Sequence, residues 1–124
     1  MDIIISNSSG KPIYEQITSQ IKGMIMNGTL KAGDALPSMR LLAKELRISV
    51  ITTKRAYEDL ERDGFITTVV GKGSFVKETD TEFVKEEQLR RVEERLQGAI
   101  DLAKQYGIEL QELAELLTML YEEA

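Results

Sequence analysis

The first half of the chain has apolar residues at helical spacing in three successive segments. Pro12 suits a first helical turn and Asn27-Gly28 is a stop signal, which together predict a helix over about residues 12–27. Its apolar positions are Ile13, Ile17, Ile21, Met24 and Ile25. Ser38 and Ser49 each fit an N-cap, and the residues after them predict short helices over about 39–46 and 50–63. Two short helices joined by a tight turn form a helix-turn-helix pattern, for which the first helix provides the third wall of a core.

Strand-like patterns precede and follow these helices. Residues 2–5 predict a short strand, and residues 65–70 and 74–76 predict a hairpin with the turn Gly71-Lys72-Gly73. A hairpin of this size directly after a helix-turn-helix pattern is typical of a wing. We therefore expect a winged helix-turn-helix domain over residues 1–78.

From about residue 80 the chain becomes strongly helical. A seam with spacings of three and four residues runs along the first tail helix, and Gly107 separates it from a second helix over about residues 109–122. The apolar positions of the two helices are Leu89, Val92, Leu96, Ala99, Ala103, Tyr106, Leu110, Leu113, Leu117 and Leu120. Packing within one chain is one interpretation of this tail. We favour a dimerisation domain over residues 79–124, because so short a two-helix hairpin has more apolar surface than it can bury against itself.

The fold class expected from these patterns is mainly α with a small β wing. It consists of a winged helix-turn-helix domain followed by a short C-terminal two-helix dimerisation hairpin.

Composition removes most catalytic chemistry. The 124 residues contain no cysteine and no histidine, which excludes disulfides, thiolate chemistry, imidazole catalysis and nearly all transition-metal sites. Because no nucleophile–base set, cofactor loop or metal-ligand spacing is visible, we expect no enzyme and no metal or cofactor. No apolar stretch of about 18 residues and no signal-peptide pattern is present, so we expect a cytoplasmic protein without membrane contact.

The net charge of −5 is distributed unevenly along the chain. Residues 1–78 hold 11 Lys and Arg against 9 Asp and Glu, whereas residues 79–124 hold 5 against 12. The acidity therefore belongs to the tail, and the helix-turn-helix half stays compatible with binding to nucleic acid.

The third predicted helix has a core side and an exposed side. The core side consists of Thr53, Ala56, Tyr57 and Leu60. On the exposed side Lys54 and Arg55 lie near the start, and carboxylates crowd the far end, as in a helix that enters the major groove by its first turns. A solvated face with random charge order is the alternative. The outward-facing Ile51 favours the DNA interpretation, because a β-branched residue there can contact thymine methyl groups.

Two cations outside the third helix extend this surface. Arg40 lies in the first turn of the second helix, where it can reach a phosphate or a guanine, the alternative being a salt bridge to Asp34 or to a carboxylate of the third helix. Lys72 lies on a glycine turn that can enter or straddle a minor groove, or that is a plain hairpin turn. The turn is not a P-loop, because position 66 is Ile where that motif requires glycine.

Ordered motifs over about residues 10–77 resemble the N-terminal domain of GntR-type regulators. These motifs are Pro12-Ile13-Tyr14-Glu15-Gln16-Ile17, Gly28-Thr29-Leu30, Gly33-Asp34-Ala35-Leu36-Pro37-Ser38-Met39-Arg40, Thr52-Thr53-Lys54-Arg55-Ala56-Tyr57, Leu60-Glu61, Gly64 and Gly71-Lys72-Gly73-Ser74-Phe75-Val76. The Arg-Ala-Tyr element and the short helical tail resemble the YtrA subfamily in particular. Many relatives have Arg or Asn-Pro-Asn around positions 49–51, where this chain has Ser49-Val50-Ile51, so the bases that are read stay open.

The resemblance implies a homodimer that binds an inverted repeat of double-stranded DNA. Such regulators are usually repressors and often lie beside genes for ABC-type membrane transporters. By motif position the resemblance implies DNA contacts from Arg40, Ser49, Thr52, Lys54, Gly71, Lys72 and Gly73. With Ile51 and Arg55 from the helix pattern, these residues form the predicted DNA-binding site.

Two further alternatives stay open. A winged-helix module that binds proteins and not DNA is the second function class. Whether a small-molecule effector exists is also open. The tail of about 46 residues is too short to enclose an effector pocket within one chain. If there is an effector, we expect it to bind between subunits or at the junction of wing and tail.

Overall fold

The structure, a computed structural model, describes residues 1–123. Its elements are α1 (Ile13–Met26), α2 (Met39–Leu46), α3 (Val50–Arg62), β1 (Ile66–Val69), β2 (Gly73–Val76), α4 (Thr81–Gln105) and α5 (Leu110–Glu123). The chain divides into two compact units, Met1–Asp80 and Thr81–Ala124. The predicted fold class, a mainly helical winged helix-turn-helix followed by C-terminal helices, is confirmed.

The core of the first unit lies where α1 and α2 pack against α3. The four residues predicted for the core side of α3, Thr53, Ala56, Tyr57 and Leu60, are all fully buried. The Tyr57 hydroxyl donates a 2.6 Å hydrogen bond to the carbonyl oxygen of Pro37, which ties α3 to the segment before α2. Burial, assisted by the negative charge of Glu45, raises the pKa of Tyr57 above its ordinary value, so the phenol stays a hydrogen-bond donor.

The strand predicted over residues 2–5 is wrong. The backbone groups of this segment pair with side chains of α1: Ile4 donates to Gln20 Oε1 at 2.9 Å and accepts from Gln20 Nε2 at 2.7 Å. Likewise, the Ser6 amide donates to Gln16 Oε1 at 2.8 Å, and Gln16 Nε2 donates to the Ser6 carbonyl at 2.9 Å. Because two glutamines satisfy the N–H and C=O groups, the segment needs no partner strand. Ile3 is buried and anchors it.

The wing is an antiparallel hairpin in which Ile66 pairs with Val76 and Val69 with Gly73. Gly73 therefore belongs to β2, and the turn consists of Val70, Gly71 and Lys72, one residue earlier than predicted. The Lys72 amide donates to the Val69 carbonyl at 2.9 Å, and Gly71 has a φ of +79° that favours glycine.

The loop before α2 pairs with the other edge of β2. Leu36 donates to the Ser74 carbonyl at 2.9 Å, and Val76 donates to the Asp34 carbonyl at 2.8 Å. These bonds anchor the base of the wing to the start of the helix-turn-helix.

The second unit consists of two helices that contact each other only slightly beyond their connection. The turn between them contains Gly107 with a φ of +72°, and Ile108 donates to the Ala103 carbonyl at 2.8 Å. Ala103 is buried, but most other apolar residues of α4 and α5 are exposed. No helix within residues 1–123 is both long and apolar enough to cross a membrane.

Candidate nucleic-acid interface

Two serine caps fix the first turns of α2 and α3. Ser38 Oγ accepts from the Leu41 amide and Ser49 Oγ from the Thr52 amide, each at 3.1 Å, as the cap predictions required. Between the helices, Arg47 adopts the left-handed conformation, with a φ of +56°, which ends α2 abruptly. The turn is therefore tight, and both helices begin at defined residues.

The first turn of α3 presents apolar and hydroxyl groups together. Ile51 is 81% exposed, as its place on the helical wheel predicted, and Val50 beside it is also exposed. Thr52 is half-buried, and its hydroxyl lies 3.0 Å from the Ser49 hydroxyl. This turn thus combines exposed methyl groups with hydroxyls that can donate or accept hydrogen bonds.

Charge changes along the exposed side of α3. Lys54 lies 3.9 Å from Glu58, a distance at the limit of an ion pair between two exposed groups. At the far end Arg62 binds Asp59 at 3.1 Å, and Lys22 of α1 binds Asp63 at 2.9 Å. The short ion pairs thus lie at the C-terminal end of α3, whereas Lys54 near its start has only a weak ion-pair partner.

Arg40 is exposed and, among residues 1–123, forms no ion pair or hydrogen bond through its side chain. The alternative of a salt bridge to Asp34 is not found. The Asp34 carboxylate accepts instead from the Lys31 amide at 2.8 Å. The guanidinium at the start of α2 therefore has all its donors available.

Arg55 lies against α1. Its guanidinium carbon is 3.7 Å from the centre of the Tyr14 ring, which is the distance of a cation–π contact. The side chain is nevertheless exposed, and its N–H groups make no hydrogen bond within residues 1–123. The sequence pattern alone missed Tyr14, because the contact depends on how α1 crosses α3.

The wing places Gly71, Lys72 and Gly73 at or beside its tip, all exposed. The Thr68 amide of β1 donates to Glu61 Oε1 of α3 at 3.3 Å, a weak bond that links the hairpin to this helix. The side chain of Lys72 makes no polar contact in the described part of the chain. The turn also contains Val70, which the sequence pattern placed in the first strand and which is 96% exposed.

The structure places the predicted tail residues mostly in solvent. Ala103 is buried and Leu113 is half-buried. The remaining predicted positions are exposed: Leu89, Val92, Leu96, Ala99, Tyr106, Leu110, Leu117 and Leu120. Slight contact between the two helices leaves their apolar rows uncovered within one chain.

Other sites in the first unit do not suit phosphate or metal. An open groove of about 900 Å³ borders α1 and the loop before α2, and its lining includes the carboxylates of Asp2, Asp34 and Glu45. No group of three or more potential metal ligands occurs in the part of the chain that the structure describes. The exposed cations and hydroxyls therefore suit binding to a polyanion.

Comparison with known proteins agrees with this geometry. The profile of the family described as "Bacterial regulatory proteins, gntR family" matches residues 13–76. The HTH-type transcriptional repressor YtrA of Bacillus subtilis (strain 168) is 38% identical over 113 residues, which cover 91% of this chain and 87% of that protein.

Two solved structures extend the comparison to the fold. A crystal structure described as a transcriptional antiterminator from Listeria monocytogenes EGD-e is similar with a TM-score of 0.75 at 29% identity, covering 98% of this chain and 90% of that one. The DNA-binding domain of AraR in complex with operator ORX1 shares the fold, with a TM-score of 0.54 at 24% identity over 61% of this chain and 95% of that one.

These findings decide between the function classes that the sequence left open. The matched family consists of bacterial regulatory proteins, and the relative YtrA, which this chain matches over most of its length, is named an HTH-type transcriptional repressor. The interpretation as a protein-interaction module without DNA binding is therefore not supported. The chain belongs to the GntR family of bacterial regulatory proteins and is a DNA-binding transcriptional regulator, not an enzyme.

Proposed function

We propose that the chain is a repressor that binds an inverted-repeat operator as a homodimer, with the first turns of α3 in the major groove. The observation that carries the proposal is the exposed first turn of α3. There an 81% exposed Ile51 lies beside two hydroxyls, while the carboxylates are paired at the opposite end of the helix.

The residues divide into base readers and phosphate contacts. Ile51 and Thr52 read bases, Ile51 through thymine methyl groups and Thr52 through its hydroxyl, with Ser49 beside it. Arg40, Lys54, Arg55 and Lys72 bind phosphates, and the backbone of Gly71 and Gly73 allows close approach of the wing. The stacking of Arg55 on Tyr14 supports its role, because it fixes the guanidinium while its N–H groups stay available.

The homodimer is supported by the uncovered apolar rows of the tail. A helix with an exposed apolar stripe needs a partner, and within one chain α4 and α5 contact each other only slightly. A second copy supplies complementary rows and builds a four-helix interface. Two-fold pairing then presents two recognition helices to the two halves of an inverted repeat.

We infer the regulatory direction from the named relative and the target from the family resemblance. YtrA of Bacillus subtilis is named a repressor, and we infer the same direction here. An operon for an ABC-type transporter is the target that the family resemblance implies. The protein acts in the cytoplasm, where prokaryotic DNA is accessible.

The test is selection of bound sites from random DNA, followed by titration of the selected duplex with two matched variants. Arg40→Ala removes an unpaired cation from the start of α2, and Arg62→Ala removes a paired one from the end of α3. We expect Arg40→Ala to weaken binding about tenfold or more, as loss of one charged contact does, and Arg62→Ala to change it less than about twofold.

The selected sequence also tests the symmetry. An inverted repeat is expected, and its position in the genome that encodes the chain tests the transporter target. A correctly folded Arg40→Ala variant that binds as tightly as Arg62→Ala would contradict the proposed surface.

A further inference from the structure

Val70, at the tip of the wing, is an apolar side chain held almost entirely in water. It is 96% exposed, the largest exposed fraction among the large apolar residues that the structure describes. The Lys72 amide bonds to the Val69 carbonyl, and Gly71 has a φ of +79°, so the turn holds Val70 in a defined position. A β-branched side chain adds the restriction of its own χ1 angle. The tip is thus apolar, narrow and preorganised.

The surroundings of Val70 suit the floor of a minor groove. An added Cβ at Gly71 or Gly73 would meet nothing within 4 Å, so the space beside these two glycines is open to a ligand. Lys72, two residues away, supplies a cation with no protein partner in the described part of the chain. A minor groove offers that combination: walls of phosphate for the cation, and a floor of base edges for an apolar side chain.

We propose that Val70 contacts the floor of the minor groove and makes the regulator select A·T over G·C pairs there. The inference rests on the proposed function, because it requires the wing to lie on DNA. In the minor groove a G·C pair differs from an A·T pair by the 2-amino group of guanine. An apolar side chain cannot accept a hydrogen bond from that amino group and excludes water from it, so the donor is left unsatisfied.

Electrostatics favours DNA over another protein as the occupant. Phosphates lie on either side of every minor groove and attract the unpaired Lys72 beside the apolar tip, whereas a protein partner would need a carboxylate placed at this one position. The first unit also has a positive balance of charge through residue 78, which a second copy of the same unit would repel.

The experiment exchanges the 2-amino group without changing the major groove. At each base pair of the duplex selected from random DNA, G·C is replaced by inosine·C, which lacks the amino group, and A·T by 2,6-diaminopurine·T, which gains it. Full-length protein is titrated against each duplex. At the base pairs under the wing, we expect A·T and inosine·C to bind alike, and G·C and diaminopurine·T to bind about tenfold more weakly.

The protein variant Val70→Thr has nearly the same shape but carries a hydroxyl that can accept from the amino group. Because the side chain is exposed, the variant keeps the fold, and we expect its preference to shrink to about twofold or less. Ile4→Thr is the matched control, since it replaces another β-branched residue, 77% exposed, outside the wing. It should keep the full tenfold preference.

Two results would overturn the inference while leaving the proposed function intact. One is that inosine·C binds as weakly as G·C, which would show that the preference is read from the groups in the major groove, where the two pairs are identical. The other is an unchanged preference in Val70→Thr. Failure to bind any duplex would refute the proposed function as well, so the two failures are distinguishable.

Discussion

At the scale of single residues, some aliphatic side chains are exposed and some polar side chains are buried, the reverse of the usual arrangement. Ile51 and Val70 are aliphatic residues in solvent, whereas the polar Gln16 and Thr53 are buried. Each buried polar group has a partner: Gln16 bonds the backbone of Ser6, and the Thr53 hydroxyl donates to the Ser49 carbonyl at 3.3 Å. The exposure of Ile51 and Val70 has no such local explanation, and we assign both side chains to the proposed contact with DNA.

Replacing Ile51 should change which DNA sequences are preferred more than it changes overall affinity. Ile51→Ser removes methyl groups that we propose contact thymine, so the loss should be confined to duplexes with thymine at the contacted pair. Substituting uracil for that thymine should weaken the wild type about threefold to tenfold and leave the variant unaffected, measured by competition titration. Equal losses on every sequence would show that Ile51 reads no base.

Much of the proposed DNA-binding surface could be predicted from the helical wheel of α3, which correctly places Thr53 in the core and Ile51 in solvent. The stacking of Arg55 on Tyr14 could not be predicted from the wheel, because these residues meet only where α1 crosses α3. Val70 escaped notice for a different reason. The hairpin turn was predicted one residue too late, which assigned the tip residue to a strand.

At the scale of elements, the first unit is held together by polar contacts between its helices as well as by its apolar core. Lys22 of α1 binds Asp63 at the end of α3, and the Tyr57 hydroxyl binds the segment before α2. Helix positions were predictable from apolar spacing and serine caps. The N-terminal segment was not, because an extended run that pairs with glutamine side chains has the same sequence signature as a strand.

The tie between Lys22 and Asp63 should make part of the stability depend on acid pH. The hydrogen bond from Lys22 lowers the pKa of Asp63, so the contribution is complete above the ordinary Asp value of about 4 and is lost as pH falls through the lowered value. Asp63→Asn should reduce the free energy of unfolding at pH 7 by less than about 1 kcal/mol, since both groups are partly exposed.

Urea titration of wild type and Asp63→Asn at pH 7 and pH 3 measures this difference. We expect the two curves to converge at the lower pH, where the aspartate approaches protonation. A gap that is the same at both pH values would contradict an electrostatic origin. Asp34→Asn is a suitable control, because the Asp34 carboxylate accepts from a backbone amide and from no cation.

At the scale of the whole molecule, charge and apolar surface are divided between the two units. The first unit carries the cations that we assign to DNA, and the tail carries the whole excess of carboxylates together with uncovered apolar rows. The sequence predicted this division from composition alone. The sequence also predicted that the two tail helices have more apolar surface than they can bury against each other, but it did not reveal which partner covers that surface, because apolar periodicity does not identify the partner of a face.

Introducing a charge into the tail should separate assembly from folding of the first unit. Leu117→Glu puts a carboxylate in an exposed apolar row of α5, so we expect a monomer whose affinity for the full inverted repeat falls at least about tenfold. Light scattering and titration against full and half operators measure both effects. Glu115→Leu, an exposed position on the same helix, is the control for a non-specific effect. A Leu117→Glu dimer with wild-type affinity would contradict the proposed interface.

The slight contact between α4 and α5 has a consequence for how the regulator is made in the cell. In the dimer that we propose, helices that bury little against each other draw their stability from the second copy, so a newly synthesised chain carries an incompletely packed tail until it meets another. In the proposed dimer the abundance of the protein thereby governs its own maturation. Scarce chains remain single and are open to proteolysis, and repression begins only once synthesis outpaces that loss.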